Sequence, residues 1–284
     1  MALDKLNSRK WVLLVVIGCL LIAQSCMRFR ISDADAQREF RKAGLNLKTT
    51  TLHTGNVPLH YVQTGSDTLP TLLFIHGSPG SWTAFKPYLK DTALLKKYRL
   101  VALDRPGFGY SHFGRAYPLQ EQASAISPLL TVLQNGHPLY LVGYSFAGAL
   151  VVALAAQHPN AITGIVTVAG AISTAHERPE KWRWLFFYTP LGLLLPGALR
   201  TSNDEIWYLK KDLKALVPQF KRVRGTVCLI HGTEDKLVPY NSLLWGSQAF
   251  TQASSVSSVT IPGASHFIPK EHYPELKYIL LQLY

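Results

Sequence analysis

At 284 residues, 48% of them hydrophobic, the chain can bury a large core, and this composition excludes disordered, collagenous and low-complexity classes. Three cysteines in such a length exclude a disulfide-built scaffold. The net charge of +12 admits anionic partners or a lipid surface, but no nucleic-acid-binding motif accompanies it, so nucleic acid is not an expected partner.

The first 25 residues read as a processing signal. Lys5, Arg9 and Lys10 form a basic head, and Trp11 to Ala23 is an uncharged apolar run. That run is short for a bilayer span and right for a secretory core. Ile22-Ala23-Gln24-Ser25-Cys26 resembles a bacterial lipoprotein signal. The resemblance implies cleavage before Cys26, a lipid on its thiol, and a body held to a membrane of the cell envelope, outside the cytoplasm. An uncleaved signal anchor is the alternative and leads to the same side. Loss of residues 1–25 removes three bases and one acid, lowering the charge from +12 to +10. Cys19 would leave with the signal and Cys228 lies in an apolar strand, so no internal disulfide is expected. Residues 26–48 form a polar leader, patterned as a short helix from Asp33 that Gly44 ends.

Thr49 to Gln63 alternates about a turn at Gly55-Asn56, predicting two antiparallel strands. Its His53 and His60 read as strand-surface residues. Thr71 to Ile75 is a buried strand that breaks into His76-Gly77-Ser78-Pro79-Gly80. A loop with bare glycines brings backbone N–H groups close to a ligand, which makes the N–H of Ser78 a candidate donor to an oxyanion. The competing reading is a Gly/Pro turn that caps a helix near Ser81. Arg99 to Leu103 is the next strand, and the Asp104 that ends it is read as ordering its own Pro/Gly-rich turn. Leu119 to Leu133 is a crossover helix despite Pro128.

Leu139 to Gln157 organises the rest. An apolar strand meets Gly143-Tyr144-Ser145-Phe146-Ala147-Gly148 and continues as an Ala/Leu-rich helix, so Ser145 sits on a sharp strand-to-helix turn where a nucleophile is presented. Such an elbow needs small residues two positions either side, here Gly143 and Ala147. Ala147 is one methyl larger than the usual glycine. The N–H of Phe146, next after the serine, is the second candidate oxyanion donor.

In this order and spacing, the His76-Gly77-Ser78-Pro79-Gly80, Asp104-Arg105-Pro106-Gly107-Phe108-Gly109 and Gly143-Tyr144-Ser145-Phe146-Ala147 segments resemble the α/β-hydrolase fold family. The resemblance implies an α/β fold: a mostly parallel eight-stranded sheet with helices on both faces and an inserted helical lid. It also implies catalytic residues in the order Ser, Asp or Glu, His. The core then spans 49–170 and 226–284, with the lid at 171–225. After the strand at Thr226 to Ile230, Glu234 and Asp235 compete for the acid. Resemblance to the family's Gly-x-x-Asp-x-x-Val-Pro loop favours Asp235 and leaves Glu234 to solvent. His266 follows the last strand, Val256 to Ile261, in a loop of small residues, whereas His76 and His231 read as structural and His272 lies beyond. In the lid, Pro190, Gly192, Pro196 and Gly197 interrupt an aromatic and aliphatic run, which excludes a span and suits a lid over an apolar pocket. Residues 171–225 carry ten Lys/Arg against five Asp/Glu.

The expected activity is hydrolysis of ester or related acyl bonds in a small-molecule acyl substrate. Ser145 would be the nucleophile, His266 the proton carrier, Asp235 its orienting acid, and Ser78 with Phe146 the oxyanion hole; this chemistry calls for no metal or cofactor. Alternatives are an N-terminal aminopeptidase of the proline-iminopeptidase type, which the Pro79-Gly80 pair resembles, a cofactor-free peroxidase using the same three residues, and a non-catalytic binding protein on the scaffold. A serine at the elbow disfavours an aspartate-nucleophile epoxide hydrolase.

Overall fold

The computed structural model describes residues 2–25, 27–53, 55, 57–174 and 180–284. Cys26, the expected lipid site, lies outside them. Helix α1 (Ala2–Ser25) precedes α2 (Asp33–Lys42), strands β1 (Lys48–Leu52), β2 (Leu59–Thr64) and β3 (Thr71–Ile75), and short helices α3 (Lys86–Leu89) and α4 (Thr92–Leu95). Then come β4 (Arg99–Leu103), α5 (Leu119–Leu133), β5 (Leu139–Tyr144), α6 (Ala147–Gln157) and β6 (Gly164–Val168). Between β6 and β7 (Thr226–Gly232) stand α7 (Arg183–Tyr188) and α8 (Ala198–Leu216). The chain ends with α9 (Asn241–Ala249), β8 (Ser255–Ile261), α10 (Ile268–Glu271) and α11 (Tyr273–Leu281).

One eight-stranded sheet has the order β1-β2-β4-β3-β5-β6-β7-β8, antiparallel at β1/β2 and β2/β4 and parallel elsewhere. Every residue of β3, β4 and β6 is buried, as unbroken apolar runs require when both faces are covered. The alternation of β5 splits the core. Leu139 and Leu141 face the layer of α5, α6 and α8, while Tyr140 and Val142 face the layer of α2, α3 and α11. Helix α6 is buried from Ala147 to Ala156, which explains why it carries no polar stripe. Its small residues permit close approach: a Cβ on Gly148 would stand 2.7 Å from Gly170 Cα.

The leader helix α2 is capped by the Ser32 hydroxyl, which accepts from Asp35 N–H, and is closed by Gly44 at φ +73°. It buries Ala36 and Phe40, one turn apart, beside β2. That cover overturns the surface reading of His60. The strand is inside the sheet, with β1 as the edge, so His60 is buried with Nδ1 3.0 Å from Asp104 Oδ2 and Nε2 3.1 Å from Asp33 Oδ1. Burial disfavours its protonation, but the two carboxylates outweigh that and raise its pKa.

The segment between β6 and β7 sits over the carboxyl end of the sheet. In α8, Glu205, Leu209, Leu213 and Leu216 are buried at helical spacing. Leu119 N–H at the start of α5 donates to Asp212 on the same helix. By contrast α7 buries no residue. Among the described residues no helix is long and apolar enough to cross a membrane.

Candidate active site

The turn from β5 into α6 holds Ser145 at φ +55°, a left-handed conformation that is costly for a side chain with a Cβ. Surrounding hydrogen bonds enforce it. Ser145 N–H donates to Val168 O at 2.9 Å, and the N–H groups of Gly148 and Ala171 donate to Ser145 O at 2.9 and 3.1 Å. A Cβ on Gly143 would lie 2.3 Å from Ala147 O, so that position must be bare. Ala147 is fully buried, and the tight backbone contact on the helix side falls instead on Gly148 against Gly170. This is why alanine is accommodated where the elbow usually has glycine.

Three side chains from separate loops meet at the elbow. Ser145 Oγ is 2.8 Å from His266 Nε2, and His266 Nδ1 is 2.7 Å from Asp235 Oδ2. The other carboxylate oxygen, Oδ1, accepts the N–H groups of Leu237 and Val238, each at 2.9 Å. Burial alone would raise the Asp235 pKa, but hydrogen bonds from His231 and His266 and the Val238 N–H overcome it, holding the carboxylate far below its usual range. An ionised Asp235 can only accept, so His266 carries its proton on Nδ1 and turns the Nε2 lone pair to the Ser145 hydroxyl. Glu234, the competing acid, is exposed.

The two expected oxyanion donors flank the same point. Ser78 and Phe146 line one cavity with Ser145 and His266, and neither N–H has an acceptor among the described residues. Behind them lies Arg105, fully buried, which sequence reading left without a role. Its Nε donates to His76 O at 2.8 Å and its Nη2 to Gly77 O at 3.0 Å, while the guanidinium carbon sits 4.5 Å from the centre of the Phe146 ring. Gly77 O and Ser78 N–H belong to one peptide unit. A cation on the carbonyl end polarises and orients the N–H end. Glu205 of α8 anchors Arg105 through two contacts, Oε1 to Nη2 at 2.7 Å and Oε2 to Nη1 at 2.8 Å. A second tie joins the loop to the segment between β6 and β7, the cap, Ser78 Oγ donating to Ser202 Oγ at 2.8 Å.

His76, His231 and His272 serve structure. His76 Nδ1 is 2.7 Å from Gly77 O and its Nε2 accepts Arg105 N–H at 3.0 Å; burial, then the neighbouring Arg105 charge, keep it neutral. His231 Nε2 is shared between Val238 O at 2.9 Å and Asp235 Oδ2 at 3.3 Å. His272 pairs with Glu275 at the surface. Among the described residues no group of three or more His, Cys, Asp or Glu side chains is arranged to hold a metal ion.

The cavity measures about 650 Å³, large enough for a ligand of drug size, and its walls are mostly apolar. Trp182, Leu195, Leu199, Ile206 and Leu209 of the cap face Leu237, Val238 and Phe267 of the core loops. Among the described residues, its one acidic lining side chain, Glu180, is paired with Arg183 at 2.5 Å.

The alpha/beta hydrolase fold profile matches residues 70–193. The chain is 32% identical over 258 residues to the uncharacterized hydrolase YugF of Bacillus subtilis (strain 168), an alignment covering 76% of this chain and 89% of that protein. The chain belongs to the α/β-hydrolase fold family. This α/β hydrolase is also 31% identical over 159 residues to epoxide hydrolase 1 of Caenorhabditis elegans, across 52% of the chain and only 38% of that relative's length. Among solved structures, a membrane phospholipase A described as a bacterial virulence factor superposes with a TM-score of 0.62 at 19% identity, covering 99% of both chains. The hydrolase fold thus accounts for the sheet and for the carboxyl-edge position of the site, where such sheets carry their chemistry.

Proposed function

We propose that this α/β hydrolase cleaves carboxylic ester or related acyl bonds through an acyl-enzyme on Ser145. The observation that carries the reading is the hydrogen-bonded line from Asp235 through His266 to the Ser145 hydroxyl, 2.7 and 2.8 Å long, opening into an apolar cavity. In this mechanism His266 Nε2 takes the hydroxyl proton as Ser145 Oγ attacks the carbonyl. The oxyanion that forms is held by the N–H groups of Ser78 and Phe146, and Asp235 stabilises the imidazolium. His266 then returns the proton to the leaving group, which departs as the acyl-serine ester forms. Water, deprotonated by the same nitrogen, attacks that ester and frees the acid and Ser145.

The nematode relative's name raises epoxide opening as a different chemistry. Attack by a serine oxygen on an epoxide carbon would leave an ether, which an oxyanion hole cannot turn over, so a hydroxyl at the elbow favours acyl substrates. An aminopeptidase would need a free acid to hold the substrate amine, and Glu180 in the cavity is already neutralised by Arg183. The test is Ser145→Ala. Ester hydrolysis and labelling by a fluorophosphonate should both be lost, and persistent labelling would move the nucleophile elsewhere. The proposal includes a lipid on Cys26 that holds the enzyme to the envelope membrane outside the cytoplasm. Cys26→Ser should release it, and undiminished retention would favour an uncleaved α1 anchor.

A further inference from the structure

We propose that the outward face of the cap, residues 182–194, docks on the lipid bilayer and sets the mouth of the cavity against it. Exposed large apolar side chains are unusual in number here: Trp182, Trp184, Tyr188, Leu191, Leu193 and Leu194 are all exposed, Tyr188 to 68%. Helix α7, in the middle of them, gives no side chain to the core. Six large exposed apolar side chains within thirteen residues mark an interaction surface rather than ordinary surface variation. Two tryptophans and a tyrosine among leucines are the mixture that settles at a bilayer's headgroup level. Lys181 and Arg200 flank the stretch in sequence and would meet anionic headgroups.

The choice of a bilayer over a protein partner rests on where the chain enters. Gln24 at the end of α1 donates through Nε2 to Leu193 O at 2.7 Å and Leu195 O at 2.9 Å, and Ala198 N–H donates to Met27 O at 3.1 Å. The exposed apolar residues of α1, Trp11 to Ile17 with Leu21 and Ile22, thus lead in sequence to the point where Gln24 contacts the cap backbone at Leu193 and Leu195. Whether α1 stays or a lipid replaces it at residue 26, the membrane attachment point lies within a residue of the Met27–Ala198 contact. Trp182 belongs both to this face and to the cavity wall, Leu195, next in sequence to that face, lines the same wall, and the exposed Leu237 and Phe267 stand at the same cavity. An acyl chain leaving the bilayer would meet mostly apolar walls on its way to Ser145. The docking goes beyond the proposed activity, because the contact requires no hydrolysis.

The experiment uses the full chain reconstituted in vesicles of phosphatidylethanolamine and phosphatidylglycerol doped with a phospholipid that carries a diazirine in its acyl chain. After illumination and proteolysis, lipid adducts should concentrate on peptides from 182–194 and be scarce around Val132 and Tyr278, exposed apolar residues remote in sequence from the cap. The Leu193→Ser/Leu194→Ser double variant should lower the cap adducts roughly fivefold, since it removes the apolar surface that inserts. Hydrolysis of a soluble short-chain ester should be unchanged, because neither leucine lines the cavity. Equal adduct yields at all three places overturn the proposal. So do crosslinks that join two copies through 182–194 when benzophenone-maleimide is attached at a Leu191→Cys in the same vesicles, which would make the face a dimer contact. If instead the soluble ester is not hydrolysed while cap adducts form, the activity reading fails and the docking stands.

Discussion

The buried Arg105–Glu205 pair offers the sharpest test of how the cap supports the site. Glu205→Leu removes both oxygens from the guanidinium, at 2.7 and 2.8 Å, and leaves a fully buried cation whose remaining hydrogen-bond acceptors among the described residues are His76 O, Gly77 O and Gln122 Oε1. Breaking one side of a buried ion pair costs about 3–5 kcal/mol. Against a total stability of about 5–15 kcal/mol, that is a large fraction. Glu205→Gln keeps the shape and one acceptor, so its cost should be nearer the roughly 1.5–3 kcal/mol of a hydrogen bond to a charged group. Urea unfolding followed by circular dichroism measures both. With a slope of about 3 kcal/mol per molar, the Leu variant should lose about 1–1.7 M in midpoint. The double variant Arg105→Met/Glu205→Leu should recover most of that loss, because no charge is then stranded. In the folded Gln variant, weaker support for the Gly77–Ser78 peptide should lower kcat about tenfold, a fraction of the 10²–10³ one oxyanion donor supplies. KM should stay within about twofold, as for a contact made only in the transition state. A Leu variant within about 1 kcal/mol of the parent, with unchanged kcat, would refute the strut.

Asp235→Asn preserves volume but lets an amide N–H face His266, favouring the wrong imidazole tautomer; kcat on a soluble ester should drop by about 10⁴, and a loss below tenfold would remove Asp235 from the relay. Gly143→Ala should destabilise by about 1–3 kcal/mol or more, since its Cβ would stand 2.3 Å from Ala147 O; an unchanged melting temperature would contradict the elbow's tightness. The raised pKa of His60 makes its stabilisation complete below its unfolded value of about 6.5 and lost as pH rises through the folded value. Stability of the parent should therefore decline from about pH 6.5 upward relative to His60→Gln, and parallel profiles for the two proteins would refute the bridge between Asp33 and Asp104.

Much of the molecule is local in origin and was readable from residues alone. Leu119–Leu133 is helical over the expected range despite Pro128, β3 and β4 follow their apolar runs, and Ser145 lies on the expected strand-to-helix turn. These depend on periodicity and on backbone demands that neighbouring residues state for themselves. The order in which Ser145, Asp235 and His266 occur was likewise visible, through the family resemblance. Contacts across long separations were not. His60 looks like any alternating strand residue until α2 covers it, and nothing near Arg105 announces a carboxylate a hundred residues away. Glu205 is one acid in a basic segment, and only the packing of α8 over the sheet turns it inward. Sequence by itself determined most of the elements, because those follow from nearest neighbours. Tertiary structure alone decided which polar groups are buried together, because burial is a property of what the rest of the chain places on top.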